Sequence, residues 1–202
     1  MSQPLSWMDS GYEFFAGRLK LNDDALLEGA SQLSGWSGRH LLSHVGHNAR
    51  ALGRLAHWAR TGEPTPMYPS PDARAEEIEA GAAWSVSRLR EFVEESQSAL
   101  SMALAGLDDV TWQAEVVTAQ GRTVPATTIP WLRARELWIH ACDLPSPGDF
   151  ADMPGDFLGA LIQDALTRRT SQGLAPDIAR WLTGRGVASS AGERSVTLPA
   201  WL

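Results

Sequence analysis

Two polar side chains interrupt the apolar stripe of a helix-like segment near the start of the chain. His44 and Asn48 occur at helical spacing among apolar residues, so both should point toward the core or its edge. Burying an imidazole or an amide there costs free energy unless the group is hydrogen-bonded or binds a metal. His44 is therefore a candidate ligand, and a hydrogen-bonded core histidine is the alternative. The apolar residues of the stripe are Leu41, Val45, Leu52 and Leu55.

A second helix-like segment contains a carboxylate and an imidazole one turn apart, at Glu136 and His140. Such a pair can bind one ion from the same side, as in metal sites built from the facing helices of a bundle. Taken alone, the spacing also fits an ordinary surface pair. Inward-facing polar residues on two separate helices, with three metal-competent side chains between them, together predict a site of two histidines and one glutamate.

A metal bound by His44, Glu136 and His140 would keep a fourth coordination position open, which is typical of catalytic sites. Zinc is the leading candidate, and another divalent metal remains an alternative. His40 and His47 are rival ligands. They rank below His44 because they lie about 40° and 60° of helical arc away from the apolar stripe.

The composition excludes several classes of protein. The chain has 202 residues, of which 44% are hydrophobic and 20% charged, and its formal net charge of −7 argues against a nucleic-acid surface. The first residues lack a basic and an apolar signal region, and no run of 18 apolar residues occurs. We therefore expect a cytoplasmic protein that binds neither nucleic acid nor membrane. The lone cysteine, Cys142, excludes an internal disulfide and a cysteine-based zinc finger.

These candidate ligands require helices to position them. Ser37 is a suitable N-cap, Gly62 a suitable stop and Pro130 a suitable first-turn residue. The only β-like stretch covers residues 111–125, with its turn at Gln120 and Gly121, and predicts a short hairpin. Long helices are expected at residues 6–19, 37–61, 84–104 and 130–143, and shorter ones at residues 154–172 and 176–183, before an irregular end at residues 184–202.

Several blocks of sequence resemble the mycothiol-dependent maleylpyruvate isomerases, a family with a DinB-like four-helix bundle. Together the blocks span most of residues 30–145 and form a specific pattern. They are residues 35–52 (GWSGRHLLSHVGHNARAL), 57–58 (HW), 61–68 (TGEPTPMY), 70–74 (SPDAR), 118–125 (TAQGRTVP) and 132–144 (LRARELWIHACDL).

The resemblance implies a mainly α fold with a DinB-like metal-binding bundle over residues 1–145. It also implies that His44, Glu136 and His140 bind zinc. The family has a C-terminal α/β domain, but here residues 170–173 (TSQG) pass directly to the helix-like residues 174–181 (LAPDIARW). We therefore expect residues 146–202 to form a shortened C-terminal region without the family's sheet.

The activity implied by the resemblance is the cis-trans isomerisation of maleylpyruvate to fumarylpyruvate, a step of gentisate degradation, with mycothiol as cofactor. A metal-bound thiol is readily deprotonated, and the thiolate could add to the C=C bond, which then rotates before elimination. The expected partners are a small dicarboxylate and this thiol, and the protein is expected to be a monomer or a small homo-oligomer. An alternative is another mycothiol-dependent S-transferase. A noncatalytic metal-binding regulator is less consistent with the single cysteine and the acidic composition.

Two arginines are candidates for binding the substrate. Residues 181–186 (WLTGRG) resemble the family segment whose arginine acts in the active site, which implies a catalytic and substrate-binding role for Arg185. Arg122, in the hairpin turn, could bind a substrate carboxylate or could instead brace the hairpin.

Three further residues lie beside the expected ligands. Asn48 and Asp143 follow the expected ligand histidines by four and three residues, so we expect them to hydrogen-bond to the imidazoles and fix their orientation. Cys142 is about 200° around the helix from His140, so its sulfur should point away from the ligand face. The reacting thiol is therefore expected to come from the cofactor.

Overall fold

A computed structural model describes residues 2–182 of the chain. The chain divides into two compact units, Met1–Asp152 and Met153–Leu202. In the first unit α1 packs against α6, α3 packs against α5, and α6 also contacts α3, which gives the four-helix bundle expected from the sequence. These four helices are α1 (Gln3–Lys20), α3 (Gly38–Thr61), α5 (Val86–Ala105) and α6 (Ile129–Ala141).

The boundaries of α3 follow from its capping residues. The Ser37 hydroxyl accepts a hydrogen bond from the His40 backbone N–H, while the His40 side chain accepts one from the Ser37 backbone N–H, so the helix begins with a reciprocal capping box. It ends at Gly62, whose φ of 74° lies in the left-handed region that favours glycine. The expected helix over residues 37–61 is thus confirmed.

Helix α6 has Pro130 in its first turn and ends at Ala141, two residues before the expected end. The backbone N–H groups of Cys142 and Asp143 donate to carbonyls three residues earlier, at Ile139 and His140. This tighter turn replaces the α-helical pattern at the C-terminus. It places Asp143 beside the last turn of α6.

Two shorter helices of the first unit were not expected from the sequence: α2 (Asp24–Glu28) and α4 (Ala73–Ala82). Asp23 caps α2 by accepting a hydrogen bond from the Leu26 backbone N–H. Helix α4 follows a proline-rich loop and packs against α3. Its amphipathic pattern is weak over only ten residues, so periodicity alone did not reveal it.

The predicted hairpin is present as β1 (Glu115–Val117) and β2 (Thr123–Pro125). The strands are antiparallel, with Val116 opposite Val124. Gly121 lies in the connecting turn with a φ of 73°, as the Gln-Gly pair indicated.

In the second unit, α7 (Gly155–Arg169) is followed by a wide helical turn at Thr170–Leu174 and by α8 (Ala175–Leu182). Within residues 153–182 the structure contains helices and no strand. The expected irregular end at residues 184–202 lies outside the described residues. Over residues 2–182, none of the helices combines the length and apolar character needed to cross a membrane.

Candidate metal centre

The packing of α3 against α6 brings His44, Glu136 and His140 together inside the first unit. His44 comes from the middle of α3, while Glu136 and His140 come from successive turns of α6. The three residues are 2%, 9% and 2% exposed. A buried group of two imidazoles and a carboxylate is costly unless its members satisfy one another or bind an ion.

The three donor atoms form a small triangle. His44 Nε2 lies 3.0 Å from Glu136 Oε2 and 3.1 Å from His140 Nε2. His140 Nε2 lies 3.3 Å from the same carboxylate oxygen. Ligands about 2.0–2.1 Å from a tetrahedral zinc ion are separated by about 3.3 Å. The donor set and its spacing therefore fit a divalent metal with one further position open.

The two imidazoles have opposite electrostatic environments. Burial lowers the pKa of His44 to about 4, so this ring is neutral at pH 7. Burial also opposes the charged form of His140, but hydrogen bonds with Asp143 and Glu136 outweigh it and raise the pKa to about 9. Although burial disfavours the Glu136 carboxylate, hydrogen bonds from both histidines hold its pKa well below the usual range. Without a metal, the cluster at pH 7 therefore contains a carboxylate and a single imidazolium.

Asp143 orients the ring of His140. The His140 Nδ1 atom lies 2.8 Å from Asp143 Oδ2. A proton on Nδ1 that is donated to this carboxylate leaves Nε2 with a free lone pair for a metal. The tight turn that ends α6 makes this contact possible.

Asn48 is placed differently from Asp143. Its Oδ1 accepts a hydrogen bond of 2.9 Å from Arg133 Nη1, which also donates to the Val45 carbonyl at 2.9 Å. Arg133 Nε donates to Gln97 Oε1, again at 2.9 Å. This fully buried arginine thus connects α6 to α3 and α5 next to His44. Sequence reasoning missed it because a single arginine gives no pattern that indicates burial.

Two other residues that the sequence did not select lie against His44. Arg74 Nη2 is 3.5 Å from His44 Nδ1. The Trp36 ring meets the His44 ring edge-on, with the centroids 5.5 Å apart. Both residues belong to the blocks that resemble the isomerase family, which was the available signal, but neither stands out by periodicity.

The rival histidines have other partners. His40 caps α3, and its Nε2 lies 3.5 Å from Glu79 Oε2. His47 Nδ1 lies 3.6 Å from Glu77 Oε2 on α4. Over the part of the chain that the structure describes, the group able to hold a metal consists of His44, Glu136 and His140.

Of the two candidate substrate-binding arginines, Arg122 is not part of this cluster. Arg122 is exposed in the hairpin turn, where its backbone carbonyl accepts a hydrogen bond from the Thr118 N–H at 2.9 Å. Arg185 lies outside the described residues.

Cys142 lies at the C-terminal end of α6 and is not a member of the cluster. Its thiol donates to the Trp138 carbonyl at 3.7 Å. Burial, followed by the charge of Asp143, raises the pKa of the thiol to about 11. A thiol with this pKa is almost entirely protonated at neutral pH, which makes it a poor nucleophile.

Comparison with known proteins gives one consistent result. A family model described as the mycothiol maleylpyruvate isomerase N-terminal domain matches residues 9–145. A crystal structure of a mycothiol-dependent maleylpyruvate isomerase aligns at 43% identity with a TM-score of 0.83, covering 85% of this chain and 71% of that one. A variant of such an isomerase, with one histidine replaced by alanine, aligns with the same identity and coverage and a TM-score of 0.82. The curated proteins gave no significant match.

Proposed function

The chain belongs to the mycothiol-dependent maleylpyruvate isomerase family and is an isomerase, and we propose that it converts maleylpyruvate to fumarylpyruvate with mycothiol and a divalent metal. The observation that supports this most is the buried triangle of donor atoms from His44, Glu136 and His140, 3.0–3.3 Å apart. The sequence identity of 43% with a solved isomerase gives the same reaction class.

We propose that His44, Glu136 and His140 hold the metal, with zinc the first choice for two nitrogen ligands and one oxygen ligand. A divalent cation in this position would lower the pKa of the mycothiol thiol, so that the thiolate is available at neutral pH. Asp143 fixes the ring of His140 through its 2.8 Å contact. Because the protein ligands are almost fully buried, their position does not depend on solvent-exposed rotamers.

In the proposed reaction, the conjugated C=C bond of maleylpyruvate accepts the thiolate and becomes a single bond. The electron pair of the double bond moves toward the adjacent conjugated ketone, whose oxygen gains negative charge as an enolate. Rotation about the single bond and elimination of the thiolate restore the alkene in the trans form. Nothing is oxidised or reduced, and the thiol is regenerated. We propose that this reaction is a step in the degradation of gentisate, as the family resemblance implies.

The substrate has two carboxylates, and the reaction places further negative charge on an oxygen atom. Guanidinium groups bind carboxylates through two parallel hydrogen bonds and stabilise such charge. We propose Arg185 for this catalytic and substrate-binding role, because its segment resembles the corresponding family segment. Arg122 is the next arginine to test.

The proposal is tested by following maleylpyruvate loss with and without mycothiol, on protein of measured metal content. We expect turnover that requires both the thiol and the metal. His57→Ala is a suitable control, because this exposed histidine lies on α3 but outside the metal cluster.

Other products would contradict the isomerase assignment. A stable thiol conjugate would indicate an S-transferase that uses the same metal-bound thiol. Full activity in chelated protein would exclude the proposed role of the metal, and activity in thiol-free buffer would exclude the addition mechanism.

A further inference from the structure

Arg133 is a fully buried arginine between the two helices that carry the metal cluster. It lies on α6, one turn before Glu136. Its Nη1 atom donates hydrogen bonds of 2.9 Å to the Val45 carbonyl and to Asn48 Oδ1, both on α3. Because Val45 directly follows His44, these bonds join the turn of α3 that carries one candidate ligand to the helix that carries the other two.

The contact between α3 and α6 is less extensive than the other main contacts of these helices. Helix α3 packs mainly against α5, and α6 packs mainly against α1. The donor atoms of the cluster nevertheless come from α3 and α6, and functional sites tolerate displacements of only about 0.5 Å. The register of α3 on α6 must therefore be fixed closely if the cluster is to bind a metal.

The hydrogen bonds of Arg133 are suited to fix this register. Apolar contacts allow helices to slide, whereas hydrogen bonds depend on distance and direction. In addition to the two bonds to α3, Arg133 Nε donates to Gln97 Oε1 on α5 at 2.9 Å. The rigid plane of the guanidinium is thus held from two neighbouring helices, and a shift of α3 along α6 would break the bonds to Val45 and Asn48.

The burial of Arg133 costs free energy that these bonds do not fully offset. Its three acceptors are neutral oxygens, and over residues 2–182 its Nη2 atom makes no hydrogen bond. Burial lowers its pKa to about 10 in spite of the favourable charge of Glu136. Apolar residues of similar volume often stabilise a core as well as such a group, and the best-documented use of a buried polar residue is to specify helix register.

We propose that Arg133 is a positioning residue of the metal centre, which fixes the register of α3 on α6 and thereby the spacing of His44 from Glu136 and His140. This inference rests on the proposed function, because it assigns a role at the proposed metal site. Arg133 acts through the two helices and is not itself a ligand.

The test is the zinc affinity of the full chain, measured by competition with a chromophoric chelator at a temperature where circular dichroism shows every variant to be folded. Arg133→Met keeps much of the side-chain length but removes the hydrogen bonds. It should lower zinc affinity about tenfold or more, as loss of an outer partner of a metal site typically does. Cobalt(II) bound in place of zinc should show a changed visible absorption, because its intensity depends on the coordination geometry.

Arg90→Met is the matched control for the loss of a bridging arginine. Arg90 lies on α5 and bonds to two other segments, through Nη1 to the Leu19 carbonyl at 3.1 Å and through Nε to Asp24 Oδ1 at 3.2 Å. These partners lie on α1 and α2 and not on the helices of the cluster. Arg90→Met should therefore lower stability but leave the zinc affinity and the cobalt spectrum unaltered.

The acceptors of Arg133 allow a second comparison that leaves the arginine in place. Asn48→Leu removes a bond to α3, whereas Gln97→Met removes a bond of the same length to α5, which carries none of the three donor atoms. Loss of a hydrogen bond to a charged group should lower zinc affinity about fivefold or more in Asn48→Leu, and Gln97→Met should keep the affinity of the unmodified protein. The double variant Arg133→Met with Asn48→Leu should bind zinc no more weakly than Arg133→Met, because both changes remove the same bond.

Two outcomes would overturn the inference. One is an unchanged zinc affinity in folded Arg133→Met. The other is an equal zinc affinity in Asn48→Leu and Gln97→Met, a comparison that decides the matter even if Arg133→Met does not fold. The unmodified protein keeps the two proposals apart: if it binds zinc and isomerises maleylpyruvate while the variants keep their zinc affinity, only the role of Arg133 fails. If the unmodified protein does not bind zinc or does not isomerise maleylpyruvate, the proposed function fails instead.

Discussion

The three donor atoms of the cluster lie within hydrogen-bonding distance of one another. The same distances also fit the ligands of a metal ion. This dual fit has a simple cause, since hydrogen-bonded heavy atoms and adjacent ligands of a tetrahedral zinc are both about 3 Å apart. The donor spacing in the cluster is therefore the spacing that a tetrahedral divalent metal requires.

Removal of any one ligand should abolish activity and lower metal occupancy. We expect this for His44→Ala, Glu136→Ala and His140→Ala, because each loses one of three donors to the same ion. Metal analysis after dialysis gives the occupancy, with His57→Ala as the control that keeps full metal. If His44→Ala retained metal while His40→Ala or His47→Ala lost it, the ligand assignment would be wrong.

Asp143→Asn should weaken metal binding while leaving the fold intact. The carboxylate orients His140 and increases the basicity of its ring through the 2.8 Å contact, and loss of such a partner typically costs tenfold to a hundredfold in affinity. Competition with a chromophoric chelator measures the change. Asp109→Asn, at an exposed position, should leave the affinity unaltered, and an equal effect of both variants would refute the specific role.

Cys142→Ala should keep most of the activity when mycothiol is supplied. The thiol has its pKa raised to about 11 and hydrogen-bonds to the Trp138 carbonyl, so it is neither ionised nor part of the cluster. We expect a stability loss of roughly 1 kcal/mol from the small cavity. An inactive variant that is folded and metal-loaded would show that the nucleophile is internal.

At the scale of elements, the site depends on how closely α3 approaches its neighbours. Gly46 lies two residues after His44, and a side chain at this position would collide with the ring of Phe92 on α5. The absence of a side chain lets the two helices pack closely. On the α6 side, Arg133 connects the helices through the Val45 carbonyl and the amides of Asn48 and Gln97.

Gly46→Ala should therefore destabilise the protein, by about 1–3 kcal/mol for an overpacked core. Gly53→Ala is the matched control on the same helix, because no atom lies within 4 Å of its added Cβ. In Gly53→Ala the better helix propensity of alanine should raise the free energy of unfolding by roughly 0.5–1 kcal/mol. Urea unfolding measures the free energy of unfolding of both variants. Changes of the same sign in Gly46→Ala and Gly53→Ala would contradict the packing argument.

For the molecule as a whole, the proposed metal binding would be linked to folding. A ligand that binds only the folded state raises stability, by about 2.7 kcal/mol at a hundred times its dissociation constant. His140 adds a pH dependence, because its pKa is raised to about 9 in the metal-free chain. A proton on this ring would compete with the proposed metal.

The stability gained from metal should consequently increase with pH between about 6.5 and 9. Because the folded pKa of His140 is above its unfolded value of about 6.5, its contribution to the metal-free fold is complete below pH 6.5. That contribution is lost as pH rises through about 9. Over the same range the metal displaces fewer protons and binds more tightly. Melting temperatures of zinc-loaded and chelated protein should diverge with rising pH, and a constant difference would exclude His140 as the competing group.

The parts of the fold that depend on local chemistry were predictable from the sequence. Capping residues and glycine stops indicated the bounds of α3, and the helical period of 3.6 residues placed His44 on the inward face of α3 and Glu136 and His140 one turn apart. These features are short-range, since each depends on residues within one or two turns.

Only the tertiary structure decided which helices meet and in which register. The pairing of α3 with α6 brings His44 to 3.1 Å from His140, across 96 residues of sequence. The packing of α4 on α3 places Arg74 beside His44, and the burial of Arg133 links three helices. Such contacts result from the side-chain packing of the whole core. The periodicity of a single segment does not indicate which other segment it contacts. The sequence therefore predicted the candidate metal ligands, whereas the contact of Arg74 with His44 and the bonds of Arg133 emerged only from the packing.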